Sequence, residues 1–423
     1  MKKKLLSLFS GCGGMDLGFE GGFKVFKDSV NNNIHPEWSI ENDGEKVLLA
    51  ETIFENVFAN DILESARAAW VPYFQKRNKA PETFHIESIV NLVKLYNQGE
   101  FQFPEGIDIV TGGFPCQDFS VAGKRKGFNS HRSHLGCYHG ENDNPTTENR
   151  GLLYIWMKEV IEITKPKVFI AENVKGLASL GNVKDIIEDD FRSIDKDGYL
   201  VIPPKVLNSA DFGVPQNRER IFFIGFNKKL LKKEALKALS SDPTNRDYNP
   251  YPFITHCRKE AANLSLFDDT RLKPYVTLRN IFKDLKEPSD EIYDLSQMLY
   301  SKARYYGKKQ QGNVEIKLDN VGPTIRSEHH GNIEFRRLSI ENGGVILDEI
   351  NKGLIERRLT VRECARIQTF PDDYEFIRKG DRNDPYNISA SAAYKIIGNA
   401  VPPFFAYNIA KRLEEIWDRL FID

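Results

Sequence analysis

A recurring pattern restricts what this chain can fold into. Short apolar runs end in glycine or a polar residue and are separated by longer segments. "KKLLSLFS" opens into "GCGGMDLGFE", and "NVFAND" closes on Asp61. "GIDIVTGG" and "PKVFIAEN" follow, with "LLYIWMKEVIEI" between them. In that last segment Leu153, Trp156, Met157, Val160 and Ile161 recur at helical spacing. Alternating strands and helices predict a mostly parallel sheet with helices on both faces. A late run, "RIFFIGF", lies close behind "YLVIPPKVLN"; so short a connection suits an antiparallel hairpin at a sheet edge. The expected fold is α/β, doubly wound.

The pattern breaks near residue 228. Polar, turn-rich stretches such as "SSDPTNRDYNPY" follow, and regular helix returns only in "SASAAYKIIGNAVPPFFAYNIAKRLEEIWDRLF", with Ser389 as its expected N-cap. We therefore expect a large domain over 1–230, completed by 385–423. A smaller irregular domain with a hinge would occupy 231–384. The 423 residues are enough for both.

The net charge of −1 announces no polyanionic partner, so any basic face must be local. No apolar run approaches the roughly 20 residues that span a bilayer. The five cysteines are odd in number and scattered, which argues against a disulfide framework and for a reducing, cytoplasmic setting. "MKKKLLSLFSGC" has the outline of a signal segment, but its apolar patch is too short for a signal core; a first strand is the better reading.

Two segments suggest chemistry. In "SLFSGCGGMDLG", Gly11 and Gly13 fit a dinucleotide loop, but Asp16 stands where the third glycine belongs. That favours a nucleoside cofactor without a pyrophosphate, with Asp61 placed to accept from ribose hydroxyls; a plain tight turn with an exposed acid is the alternative. In "GGFPCQDFSVAGKRKG", Gly112, Gly113 and Pro115 make a stiff turn before Cys116. A thiol there is better suited to nucleophilic attack than to packing. Glu172 in "AEN" and the alternating Arg218 and Arg220 in "QNRER" supply an acid and a guanidinium pair at strand ends.

Together and in order, "LFSGCGGMDLGF", "GGFPCQDFSVAGKRKGF", "AENVKGL", "VPQNRERIFFIGF", "RLTVRECARIQTFPDDY" and "AAYKIIGNAVPP" resemble the DNA cytosine-5 methyltransferase family. The resemblance spans most of the chain, apart from about 228–355. It implies the S-adenosylmethionine-dependent methyltransferase fold, double-stranded DNA as substrate and a small target-recognition domain. Cys116 would attack C6 of a cytosine flipped out of the duplex. Glu172 would hold or protonate N3, Arg220 would contact O2, and Arg218 would support the nucleophile's loop. The cofactor would lie over Phe9, Gly11, Cys12, Gly13 and Gly14, with Asp61 on the ribose. Ile62, Glu87, Pro115, Leu153, Asn399 and Val401 would complete its pocket. Glu87 departs from the family's usual Asp. Gln117, Ser120, Lys124, Arg125 and Lys126 would close over the DNA. Thr324 and Arg326, in "VGPTIRSEHHGNIEFRR", would contact it from the recognition side, with Arg336, Arg337 and Asn332 as further base readers. Upstream, "SKARYYGKKQQGN" suits phosphate contacts.

Two insertions depart from the pattern: 27–50, and the stretch with His131, His134, Cys137 and His139. The latter lacks a usual zinc spacing, and a polar loop without metal is expected. A stand-alone chain of this architecture looks like the modification half of a restriction–modification pair, acting as a monomer without an obligate partner. The rivals are the tRNA-methylating branch of the family, whose Cys-Phe-Thr signature is missing here, and a catalytically silent DNA-binding relative. A nicotinamide-type oxidoreductase is disfavoured by the failed third glycine.

Overall fold

The computed structural model describes residues 2–115, 152–195, 198–258, 272–288, 294–327, 331–379 and 384–422. The large unit runs through β1 (Lys3–Leu8), α1 (Gly14–Glu20), β2 (Lys24–Phe26), β3 (Ser39–Asp43), β4 (Lys46–Leu49), β5 (Phe54–Asp61) and α2 (Glu64–Gln75). It continues through β6 (Phe84–Ile86), α3 (Ile89–Gln98), β7 (Ile109–Gly112), α4 (Leu153–Thr164), β8 (Val168–Val174), α5 (Val183–Arg192), β9 (Tyr199–Asn208) and β10 (Glu219–Asn227). Among the described residues the main sheet has the order β6-β5-β1-β7-β8-β10-β9. All its pairings are parallel except those of β10, which runs antiparallel to both β8 and β9. The expected hairpin is therefore present, with β9 as the edge and β10 one place inside it.

Strand alternation builds two cores. Leu5, Ile109, Ile170 and Phe222 point to one face, where α1, α2 and the C-terminal helix Pro403–Leu420 cover them. Leu6, Leu8, Val110, Phe169, Ala171 and Phe223 point to the other, under α3, α4 and α5. Strands apolar on both faces need helices on both sides, since an open face would leave these rows in water. The C-terminal helical stretch breaks once, at Ala400–Pro402, into Ala390–Asn399 and Pro403–Leu420. Ser389 caps the first piece, its Oγ accepting from the Ala392 N–H at 3.2 Å.

The insertion between β1 and β5 folds into a three-stranded antiparallel sheet, β2-β4-β3. It fastens the second region to the first. Lys46 lies on Asp372, Asn280 donates to Asp28 at 2.9 Å, and Lys273 donates to the Val30 carbonyl at 2.7 Å.

The expected boundary at 230 does not coincide with a break in packing. Lys232 N–H donates to the Leu420 carbonyl at 2.8 Å, and the Tyr251 hydroxyl donates to the Phe222 carbonyl at 3.0 Å. Arg412 holds the Asn249 carbonyl at 2.8 Å. Residues 231–258 thus pack on the large unit, and so does the stretch around the helix Val361–Ile367. There Thr369 Oγ1 accepts from Phe404 N–H at 3.0 Å, and the Tyr374 hydroxyl donates to the Cys12 carbonyl at 2.7 Å. No helix among the described residues is long and apolar enough to cross a membrane.

Candidate active site

The sheet order reverses between β1 and β7, where chain crossings diverge and leave a crevice beyond the strand ends. The loops after β1 and β7 open side by side there. β8 ends at the same edge, and because β10 is antiparallel its first residues lie there too.

Glu172 and Arg220 meet at this edge. Arg220 pairs with Val174 and Phe222 with Glu172, so Glu172 and Arg220 are diagonal neighbours on one face. Arg220 Nε lies 2.9 Å from Glu172 Oε1. The other carboxylate oxygen faces Gly113: a Cβ at that position would sit 2.9 Å from Glu172 Oε2. The residue before Phe114 must therefore be small for the carboxylate to reach the turn. Burial pushes the Glu172 carboxyl up, and the charges of Arg220 and then Arg218 offset this only in part. A buried acid perturbed in this way at the edge of a crevice is a candidate for proton exchange.

Asn173, the next residue, was not singled out from the sequence. Its side chain donates to the Phe114 carbonyl at 3.1 Å, fixing the backbone just ahead of the half-buried Pro115. Cys116, Gln117, Ser120, Lys124, Arg125 and Lys126 lie outside the described residues, as do His131, His134, Cys137 and His139.

Arg218 does something different from its partner two residues on. It is buried, and its guanidinium donates to the Ile325 and Gly398 carbonyls, each at 2.9 Å. It joins the second region to the helix Ala390–Asn399. Gln216, also missed from the sequence, extends this joint: its Nε2 donates to Gln368 Oε1 at 2.7 Å and its Oε1 accepts from the Ile325 N–H at 3.0 Å. A buried amide satisfied on both sides fixes two strands of backbone at once. Nothing in "QNRER" separates such an amide from a solvated one.

The β1 loop forms the second half of the site. Gly11 has φ +54°, and nothing lies within 4 Å of where its Cβ would be. Phe9 also has positive φ, at 53°, a strained value for a non-glycine residue. The Gly11 N–H donates to Asp61 Oδ2 at 2.9 Å, and the Leu63 N–H to Asp61 Oδ1 at 2.9 Å. Ile62 is 39% exposed beside this carboxylate, unusual for so large an apolar side chain. Asn399 is exposed, whereas Val401 and Leu153 are buried. Gly13 and Gly14 open α1, Gly14 against the Val401 carbonyl. An open backbone turn, an acid and a bare apolar side chain fit a nucleoside: hydroxyls for Asp61, a flat ring for Ile62.

Other expected residues are occupied differently. Cys12 is fully buried, with Sγ 3.4 Å from the Ile396 carbonyl, and burial drives its thiol far up. Only its backbone can face the loop. Glu87 accepts from the Ser88 N–H and Asn91 Nδ2, both at 2.8 Å, just ahead of α3. Thr324 donates to the Asn217 carbonyl at 2.6 Å. Arg326 donates to the Asn332 carbonyl and pairs with Glu334, both at 2.9 Å.

Arg336 and Arg337 correct the sequence reading. They are 7% and 0% exposed, and both pair with Glu349. These are internal ion pairs, and so neither side chain is placed to read a base. A run of arginines near a turn gives no sign of whether acids will fold onto it.

Fold and site together define a doubly wound α/β domain of the methyltransferase type, with an acid–guanidinium pair beside the backbone of Gly113–Pro115. The chain belongs to the C-5 cytosine-specific DNA methylase family, whose sequence model matches residues 3–415. It is 30% identical to the type II methyltransferase M.BspRI of Lysinibacillus sphaericus, over 98% of this chain and 82% of that protein. It is also 30% identical to the type II methyltransferase M.BsuRI of Bacillus subtilis, over 97% of this chain and 78% of that one. Among solved structures, the Entamoeba histolytica methyltransferase EhMeth shares the fold with a TM-score of 0.52 at 16% identity, covering 99% of this chain and 98% of the other. The S. pombe Dnmt2 methyltransferase does so with a TM-score of 0.51 at 15% identity, over 98% and 99%.

Proposed function

We propose that this protein methylates C5 of a cytosine held out of duplex DNA, within one short sequence, through a transient bond from Cys116. The observation that carries this reading is the placement of Glu172. A buried carboxyl with a raised pKa is paired with Arg220 and lies against the backbone two residues before Pro115. S-adenosylmethionine, when bound, supplies an electrophilic methyl group. Asp61 would hold its ribose hydroxyls, and Ile62 and the open turn at Gly11 would make room for its ring.

Cytosine C5 is a poor nucleophile. A thiolate adding at C6 makes C5 enamine-like, and the ring then needs its developing negative charge offset. Glu172 does this by hydrogen bonding or proton donation at N3, and Arg220 by donating to O2. After the methyl is in place, loss of the C5 proton and of the thiol restores the ring. Asn173, by fixing the Phe114 carbonyl, sets where the thiol can stand. The similarity to type II enzymes supports a role in protecting DNA from a cognate restriction endonuclease.

The test uses purified protein, S-adenosylmethionine and unmethylated DNA of mixed sequence, with converted-base sequencing. Methylated cytosines should fall in one short motif and vanish with Cys116→Ser. Methylation of RNA alone, or none with cofactor binding intact, would overturn the reading.

A further inference from the structure

Two sets of cations stand out in the second region. Arg336, Arg337, Arg357, Arg362 and Arg366 are buried, and each is paired with Glu or Asp. Lys302, Arg304, Lys308 and Lys309 are the opposite. All four are exposed, and among the described residues none lies within ion-pair distance of a carboxylate. The run 300–313 holds these four cations and no acid.

The segment has no regular strand partner, yet its exposure alternates as in a strand. Lys302, Arg304, Tyr306 and Lys308 face outward, and Ser301, Ala303 and Tyr305 turn inward. Tyr305 meets Phe335 edge-on at 5.9 Å, while Tyr306 is 64% exposed.

One buried residue imposes this shape. Arg358 is 1% exposed and lies 4.0 Å over the Phe335 ring. Its guanidinium donates to the carbonyls of Ala303 at 2.8 Å, Arg304 at 3.0 Å and Gly312 at 2.9 Å, to Asn313 Oδ1 at 2.9 Å, and to the Ile333 carbonyl. The fork of N–H donors is spent on four backbone carbonyls and one amide oxygen, four of the five within 303–313. A buried charge is costly unless so satisfied, and here its product is a fixed row of outward cations. The segment also connects to the site: Gly312, near its end, lies against the Asn332 carbonyl. Arg326, which donates to the Asn332 carbonyl, packs its own backbone against Gly398, and Gly398 is held by Arg218.

We propose that residues 301–309 form a preset phosphate rail: Lys302, Arg304, Lys308 and Lys309 hold the sugar–phosphate backbone of the target duplex and supply affinity without sequence choice. This rests on the duplex-DNA reading above. Charge complementarity carries it: Lys302 lies 3.5 Å over the Tyr300 ring, but none of the four cations has a carboxylate partner among the described residues, so a polyanion suits this fixed edge, and phosphate contacts position without reading bases. Because Arg358 orders the segment beforehand, little ordering entropy is lost on binding.

The experiment measures duplex binding by anisotropy across a salt series, for the wild type and for Lys302→Ala, Arg304→Ala, Lys308→Ala and Lys309→Ala combined. The slope of log K against log salt should become shallower by about 3 to 4, from roughly 0.9 per phosphate released. Affinity near 0.1 M salt should fall about tenfold or more, and methylated sites should be those of the wild type. Lys308→Ala with Lys309→Ala should give about half the slope change, and the thermal midpoint should match the wild type in both. An unchanged slope overturns the rail, and an altered set of methylated sites overturns its indifference to sequence. Binding is read apart from methyl transfer, so the two readings fail separately. A slope difference without methylation anywhere keeps the rail and overturns the proposed function.

Discussion

Glu172 and Glu363 are the same residue type, both buried, both beside arginine, yet their carboxyls are shifted in opposite directions. Burial pushes both carboxyls up. In Glu172 one Arg220 nitrogen at 2.9 Å and the more distant Arg218 do not outweigh it. In Glu363, Arg357 donates to both oxygens at 2.8 and 2.9 Å, and the Thr360 N–H adds a third bond at 2.8 Å. There the carboxyl ends below its usual range. Burial alone does not decide the state of an acid; the number and fit of its donors do. A bidentate partner makes a permanent charge that belongs to the architecture. A side-on partner leaves a proton exchangeable.

Glu172→Gln is the strongest test of this difference. It should lower kcat about 10²- to 10⁴-fold while leaving the thermal midpoint near that of the wild type, because burial already penalises the charged carboxylate and so offsets the loss of its pairing with Arg220. Normal turnover in that variant would break the comparison at its catalytic end.

Glu363→Gln should act in the other direction. Removing one partner of a buried pair should cost about 3 kcal/mol in urea unfolding at neutral pH. The sign follows from the lowered carboxyl: its stabilisation is present above the ordinary carboxylate range and is lost as pH falls through the folded value. The wild type should therefore lose more stability on acidification than the variant. A variant as stable as the wild type would break the architectural end.

Asp16 sharpens the comparison as a second acid raised by burial. It is fully buried, and the Trp70 Nε1–H donates to it at 2.7 Å. Burial pushes it from 3.8 up to about 7. The neutral acid's stabilisation is complete below about 3.8 and is lost as pH climbs to about 7. Thermal midpoints between pH 5 and 8 should decline in the wild type and stay flatter in Asp16→Asn. The difference is of order 2 to 4 kcal/mol or less. Parallel curves would mean that Asp16 ionises freely in the fold.

Much of the sheet was legible because strand and helix periods are local. Leu5 and Leu6 must point to opposite faces, and a β1 so apolar must be covered twice. The hairpin of β9 and β10 followed from a short connection. The positions of Glu172 and Asp61 at strand ends are legible for the same reason, and an acid there stands out because strand ends in such sheets border the ligand crevice. Asn173 and Gln216 were not found, because their function is a hydrogen bond to backbone distant in sequence, at Phe114 and Ile325. The boundary at 230 was drawn from a loss of periodicity, and irregular chain can still pack on the large unit, as Tyr251 does on β10.

The sequence by itself determined the doubly wound α/β core, the glycine turn after β1, and which acid and arginine stand at the strand ends. These follow from local periodicity and from residue chemistry at fixed positions. Only the tertiary structure decided how each charge is used. Arg220 reaches Glu172, Arg218 staples two segments, Arg337 is sealed inside, and Lys302 and Arg304 are left open to solvent. A side chain's charge is fixed by its type, but its partners and its solvation are set by what the rest of the chain brings beside it.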